Sequence, residues 1–168
     1  MVIKKGSMRE VLNSVYQKLI NDEDLLRLLW YLPKSRVNKD PLDKTLKNVK
    51  TLPEYWDIVN ERILLTEKVD DIADKQLCRI YITSGRRRPN GVSYMVANQQ
   101  IRLRIFVHEN YGQDLRLDWI SDRISELLTL EHLVGAIGKL DYVGGNPLNA
   151  PLQYTGYEHI FEYATSKK

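Results

Sequence analysis

The stretch "IRLRIFV", residues 101–107, alternates so strictly that an extended strand puts Ile101, Leu103, Ile105 and Val107 on one face. Arg102 and Arg104 then occupy the other face. "CRIYIT" repeats the pattern with Cys78, Ile80 and Ile82, and "VSYMV" with Val92, Tyr94 and Val96. Turns at Asn90-Gly91 and Asn98-Gln99 would join the three, since Asn-Gly readily takes positive φ. The expectation is a three-stranded antiparallel meander with one buried face.

Helical periodicity flanks this block. Ser7-x-x-Glu10 has capping-box spacing, and Met8, Leu12, Val15 and Leu19 form one apolar stripe, which predicts a helix over residues 8–20. "NDED" restarts the chain with acids suited to a helix N-terminus. "LLRLLWYL" is a second helix closed by Pro33, with Leu25, Leu28, Leu29 and Trp30 assigned to the core. Residues 33–57 read as a long, polar, lysine-bearing and mobile connection, cut by Pro41 and Pro53, with "LPEYWDIV" as an apolar patch. Such long connections are often functional. After the strands, Asp114 is expected to cap a helix over residues 115–130. Leu117, Ile120, Ile124, Leu127 and Leu128 face its core side, and Arg116, Asp122, Arg123 and Glu126 its wet side. An extended segment with Gly144-Gly145 follows, then a last strand in which Gly156 suggests a bulge. This order predicts one α+β domain over residues 1–168: N-terminal helices, then a mainly antiparallel sheet with a long helix packed on one face.

A chain of 168 residues can bury a core without staples. Its 25 Lys and Arg against 22 Asp and Glu leave a net charge of +3, below what a dedicated DNA binder carries. Lys4, Lys5, Lys167 and Lys168 at the two ends supply that excess. With Cys78 alone no intrachain disulfide forms, which fits a reducing compartment. No apolar run approaches the ~18 residues that cross a bilayer, and "MVIKKGSM" lacks the apolar core of a signal peptide. Residues 1–7 read as an added or disordered tail, with Met8 as the natural start. The expectation is a soluble intracellular domain.

Catalytic patterns are not found. Cys78, His108, His132 and His159 are too scattered for zinc, and an inward-facing Cys78 is an inert thiol. "GVSYM" lacks the second glycine of a nucleophile elbow, and no phosphate-binding glycine pattern is present. Asp70-Asp71 and Glu109 with Asp114 read as solvated surface. The expectation is a non-enzyme without cofactor or metal. Binding remains, with Arg86, Arg87, Arg88, Arg102 and Arg104 as candidate partner-contact residues. The three adjacent arginines are placed on a loop, and Tyr81 and Phe106 on the outward sheet face. Such a basic, partly aromatic face suits single-stranded nucleic acid. Arginine with tyrosine is equally the chemistry of protein interfaces, and the chain has 10 tyrosines. Charges on an edge or loop tip also blunt unwanted strand pairing, so protein contact or plain solubility is the favoured reading and a nucleic-acid-binding module the alternative.

The order of the pieces resembles small structural proteins of the tailed-bacteriophage head–tail junction: tail terminator, tail completion or neck proteins. It rests on "DEDLLRLLWYLP", "NKDPLD", "CRIYITSGRRRP", "NQQIRLRIFVHENYG", "DLRLDWISDRISELL", "AIGKLDYVGG" and "YTGYEHIFEYAT", spread over residues 8–165. The resemblance implies a virion assembly protein without catalytic activity. Such a protein caps the tail tube, joins it to the head connector and commonly forms a hexameric ring. The implied partners are copies of itself, the tail tube and the head connector, without membrane. Its implied place is the virion, and the host cytoplasm during assembly.

Overall fold

A computed structural model describes residues 8–33, 40–68, 70–93 and 95–166. Helices α1 (Met8–Asn21) and α2 (Glu23–Trp30) come first, then α3 (Tyr55–Arg62) running into a short strand β1 (Ile63–Leu64). Two long strands, β2 (Cys78–Pro89) and β3 (Val96–His108), lead to α4 (Arg116–Leu128) and the strands β4 (Ile137–Leu148) and β5 (Tyr154–Ser166). The sheet order is β1-β2-β3-β5-β4, with β1 parallel to β2 and every other pair antiparallel. The α+β expectation holds, and all four helices contribute to a single core against one sheet face. Ser7, which would complete the capping box, lies outside the described residues, as do the rest of residues 1–7 and residues 34–39.

The α1 stripe runs through Val11, Val15 and Leu19, all fully buried, with Leu12 at its margin. In α2 the four residues Leu25, Leu26, Leu28 and Leu29 are completely buried. Each is worth about 1.5–3 kcal/mol in the transfer from water. Asp22 caps this helix, accepting from the Leu25 N–H at 2.8 Å, and the same carboxylate holds the Arg123 guanidinium of α4 at 2.6 Å. The hydrogen bonds that Arg123 donates to Asp22 are the largest influence pushing the Arg123 pKa upward.

The other end of α2 is finished by two arginines. The last carbonyls of a helix have no intrahelical donor and carry the negative end of its dipole. Arg116 donates through Nη1 to Leu28 O at 2.5 Å and Tyr31 O at 2.7 Å. Arg62 donates to Leu29 O and lies over the Trp30 ring at 4.9 Å. Tyr111 faces both guanidiniums, at 5.9 Å from Arg62 and 5.4 Å from Arg116. Arg116 was expected on the wet side of α4, yet it is fully buried, because the end of α2 supplies acceptors there. Asp114, expected as a helix cap, instead pairs with Arg116 at 2.7 Å, and Leu115 stands at the N-terminus of α4 with φ of 58°.

Four further expectations are corrected. "LPEYWDIV" is not a loop patch: Tyr55–Arg62 is helical, burying Ile58, Val59 and Arg62. The connection before it is tied down from residue 40 onward. Arg27 donates to Asp43 O and Leu46 O, both at 3.0 Å, and the Tyr31 hydroxyl to Lys47 O at 2.6 Å. The expected three strands are one long hairpin: β2 runs to Pro89 and β3 starts at Val96, so Val92, Ser93 and Met95 belong to no strand, Tyr94 lies outside the described residues, and Asn98-Gln99 is no turn. Finally, Gly156 pairs in unbroken register with Phe106. An added Cβ there would meet the Phe106 ring at 3.1 Å, so the glycine gives room to an aromatic side chain and marks no bulge.

Arg116→Ala should lower unfolding free energy by about 3 kcal/mol, because two carbonyls and Asp114 lose a buried charged partner. Substituting the exposed Arg9 should change it by less than about 0.5 kcal/mol. Denaturant unfolding of both variants checks this.

Candidate partner-contact site

The alternation of β3 puts Arg102 and Arg104 on the sheet face away from the helices, as expected. Tyr81 and Phe106 share that face, with Tyr81 opposite Arg104 in the ladder. They are not exposed, which corrects the expectation of an open aromatic surface. Together with Ile72 and Tyr154 they form a second small core, joined by Leu64 and Leu148. Arg79 beside them is almost fully buried and salt-bridged to Asp71 at 2.8 Å. That hydrogen bond holds the Asp71 carboxyl down at about 2. Base stacking on Tyr81 or Phe106 is therefore closed off.

The arginines farther along the face meet carboxylates of β5. Arg104 donates through Nε to Glu158 at 3.0 Å and through Nη1 to both oxygens of Glu67 at 2.6 Å. Arg102 lies 3.8 Å from Glu158. Arg88 reaches Glu162 at 3.2 Å, where Asn98 and Gln100 also donate. Three arginines thus face three glutamates, and little positive potential is left for phosphates.

Arg86, Arg87 and Arg88 are in β2 itself, not on a loop, since the strand runs to Pro89. Their pairing with β3 resumes after a register shift between Ser84 and Arg87. β1 covers β2 only at Ile80 and Tyr81, so the distal half of β2 is a free sheet edge among the described residues. Among the described residues Arg86 is exposed there and makes no side-chain hydrogen bond or ion pair, and Arg87 makes one 3.5 Å contact to Thr165 Oγ1.

At the opposite edge the structure forms a pocket of about 320 Å³ between α4, β4 and β5. Asp118, Ser121 and Asp122 line it from the helix, and Tyr142, Tyr157 and His159 from the sheet. The two tyrosine hydroxyls converge above Gly145, where a Cβ would stand 2.7 Å from one and 2.8 Å from the other. His159 is buried, its Nδ1 lies 3.3 Å from the Tyr142 hydroxyl, and its Nε2 has no partner. Burial lowers its pKa below 6.5, partly offset by Asp122. These residues are far apart in the sequence and share no motif, so only the fold assembles them. Cys78 lies fully buried, its thiol pushed up to about 12 by burial, which removes it as a nucleophile. Among the described residues no group of three His, Cys, Asp or Glu side chains could hold a metal ion, and no helix is long and apolar enough to cross a membrane.

The sequence profile of the YomW family matches residues 22–163. The chain belongs to the YomW family. Its relative in Bacillus subtilis (strain 168), the SPbeta prophage-derived protein YomW, is 30% identical over 169 aligned residues, covering 94% of this chain and 97% of the relative. In fold, this YomW-family chain is similar to a chain from the virion of a native gene transfer agent particle. The TM-score is 0.54 at 11% identity, over 95% of this chain and 96% of that one.

Two measurements test the site. Neutral His159 contributes stability that is complete above about pH 6.5 and is lost as pH falls through its depressed folded value, because the unfolded chain takes up a proton that the folded one resists. Denaturant unfolding between neutral pH and about pH 5 should show this slope, flattened in His159→Gln. Fluorescence anisotropy with a labelled oligonucleotide at low ionic strength should give weak binding at most, unchanged in Arg102→Ala/Arg104→Ala. A tight, salt-sensitive isotherm lost in that variant would restore the nucleic-acid alternative.

Proposed function

We propose that this chain is a structural protein of a phage or prophage virion, acting at the head–tail interface as a tail terminator or completion protein. In this role it caps the tail tube and joins it to the head connector, without catalysing a reaction. The observation that carries the reading is the end-to-end fold likeness to a chain of a virion particle. The prophage origin of the YomW relative agrees with it. The order of sequence elements that resembles head–tail junction proteins supports the finer role. A sheet with a free edge on each side suits a subunit that meets neighbours on two different surfaces, as ring members do. The hexamer, the tail tube and the head connector are part of the proposal, as is a place in the finished virion after assembly in the host cytoplasm.

The test is electron microscopy of particles made with and without the gene. Without the chain, tubes of uncontrolled length and heads lacking joined tails are expected, and supplying it in trans should restore joined particles. Particles of normal length and attachment in its absence would overturn the reading.

A further inference from the structure

The two edges of the sheet carry complementary, unspent charge. At the β2 edge, Arg86 has no partner among the described residues and Arg87 only a weak contact to a hydroxyl, while the neighbouring Arg88, Arg102 and Arg104 are taken up by Glu67, Glu158 and Glu162. At the β4 edge, the exposed carboxylates of Asp118 and Asp122 make no ion pair among the described residues. They stand over a pocket walled by Tyr142 and Tyr157 and closed by His159, whose buried Nε2 has no hydrogen-bond partner. Carboxylates beside aromatic rings are the surroundings a planar guanidinium prefers, through bidentate pairing and stacking.

Both edges are built against backbone pairing. β2 has a register shift between Ser84 and Arg87 and ends in Pro89. β4 has shifts at 137–141 and 142–144 and carries Pro147. Such bulges and prolines prevent strand addition, so a contact between edges falls to side chains. Tyr142 of the pocket wall and its chain neighbour Val143 are exposed and give that contact an apolar part.

We propose that the pocket formed by α4, β4 and β5 receives Arg86 and Arg87 of a second copy of this chain. This deepens the self-assembly reading and rests on it. The contact joins opposite edges, so it is heterologous: each copy offers one arginine edge and one acidic pocket, and association continues until rotation closes the ring.

Sedimentation velocity on the full chain tests it with two neutral variants, Arg86→Ala/Arg87→Ala and Asp118→Asn/Asp122→Asn. The wild type should self-associate more weakly as salt rises. Each variant alone should associate at least about tenfold more weakly. An equimolar mixture should give a 1:1 complex that grows no further, because one copy keeps an intact pocket and the other an intact arginine edge. All four side chains are exposed, and circular dichroism of both variants verifies folding. Should one pair fail to fold, the Asp118→Asn and Arg86→Ala single variants carry the same mixing test. Either variant assembling like the wild type, a mixture that stays monomeric, or a wild type monomeric at high concentration overturns this contact. The virion role is judged separately by the particle-morphology test, so the two can fail independently.

Discussion

The capping of the α2 C-terminus by Arg62 and Arg116 is the constraint on which the rest depends. α2 is short and almost wholly apolar on its core side, so its last carbonyls lie where water cannot satisfy them. One donor comes from the end of α3 and the other from the start of α4, with Tyr111 from the turn after β3 facing both cations. Segments more than 80 residues apart in sequence therefore meet at a single helix end. Because guanidinium does not deprotonate in proteins, this junction stays charged at any pH the fold survives.

Arginine has three distinct uses in this chain, distinguished by what stands opposite. Inside, Arg27, Arg62, Arg79 and Arg116 satisfy backbone carbonyls, and three of them also pair with partly exposed acids. On the outer sheet face, Arg88, Arg102 and Arg104 are neutralised by glutamates across the ladder. At the distal β2 edge Arg86 and Arg87 are left without a carboxylate among the described residues. A net charge of +3 therefore says little about where a basic surface lies.

Strict alternation made β3 legible from the sequence, because only one side of a strand can meet the core. The turn expected at Asn98-Gln99 failed for a physical reason. Their polar side chains find partners within the sheet, Asn98 on Glu162 and Gln99 on the Gly85 carbonyl, so the strand continues through them. α3 went unread because Pro53 sits just before it, although Tyr55, Ile58, Val59 and Arg62 have helical spacing. Tyr81 and Phe106 were given the right face but the wrong exposure, since the cover over them comes from Ile72 and Tyr154, remote in sequence. Arg116 followed the same logic, because its acceptors belong to another helix. The pocket left no trace in the sequence, since its members become neighbours only when β4 folds back beside β5.

The bulges and prolines along β2 and β4 also bear on how the chain behaves before it meets any partner. A five-stranded sheet with two straight open edges would be a template for indefinite stacking, with each copy extending the last by a row of amide hydrogen bonds. Irregular edges withhold those bonds. That disfavours edge-to-edge stacking of free copies of the chain.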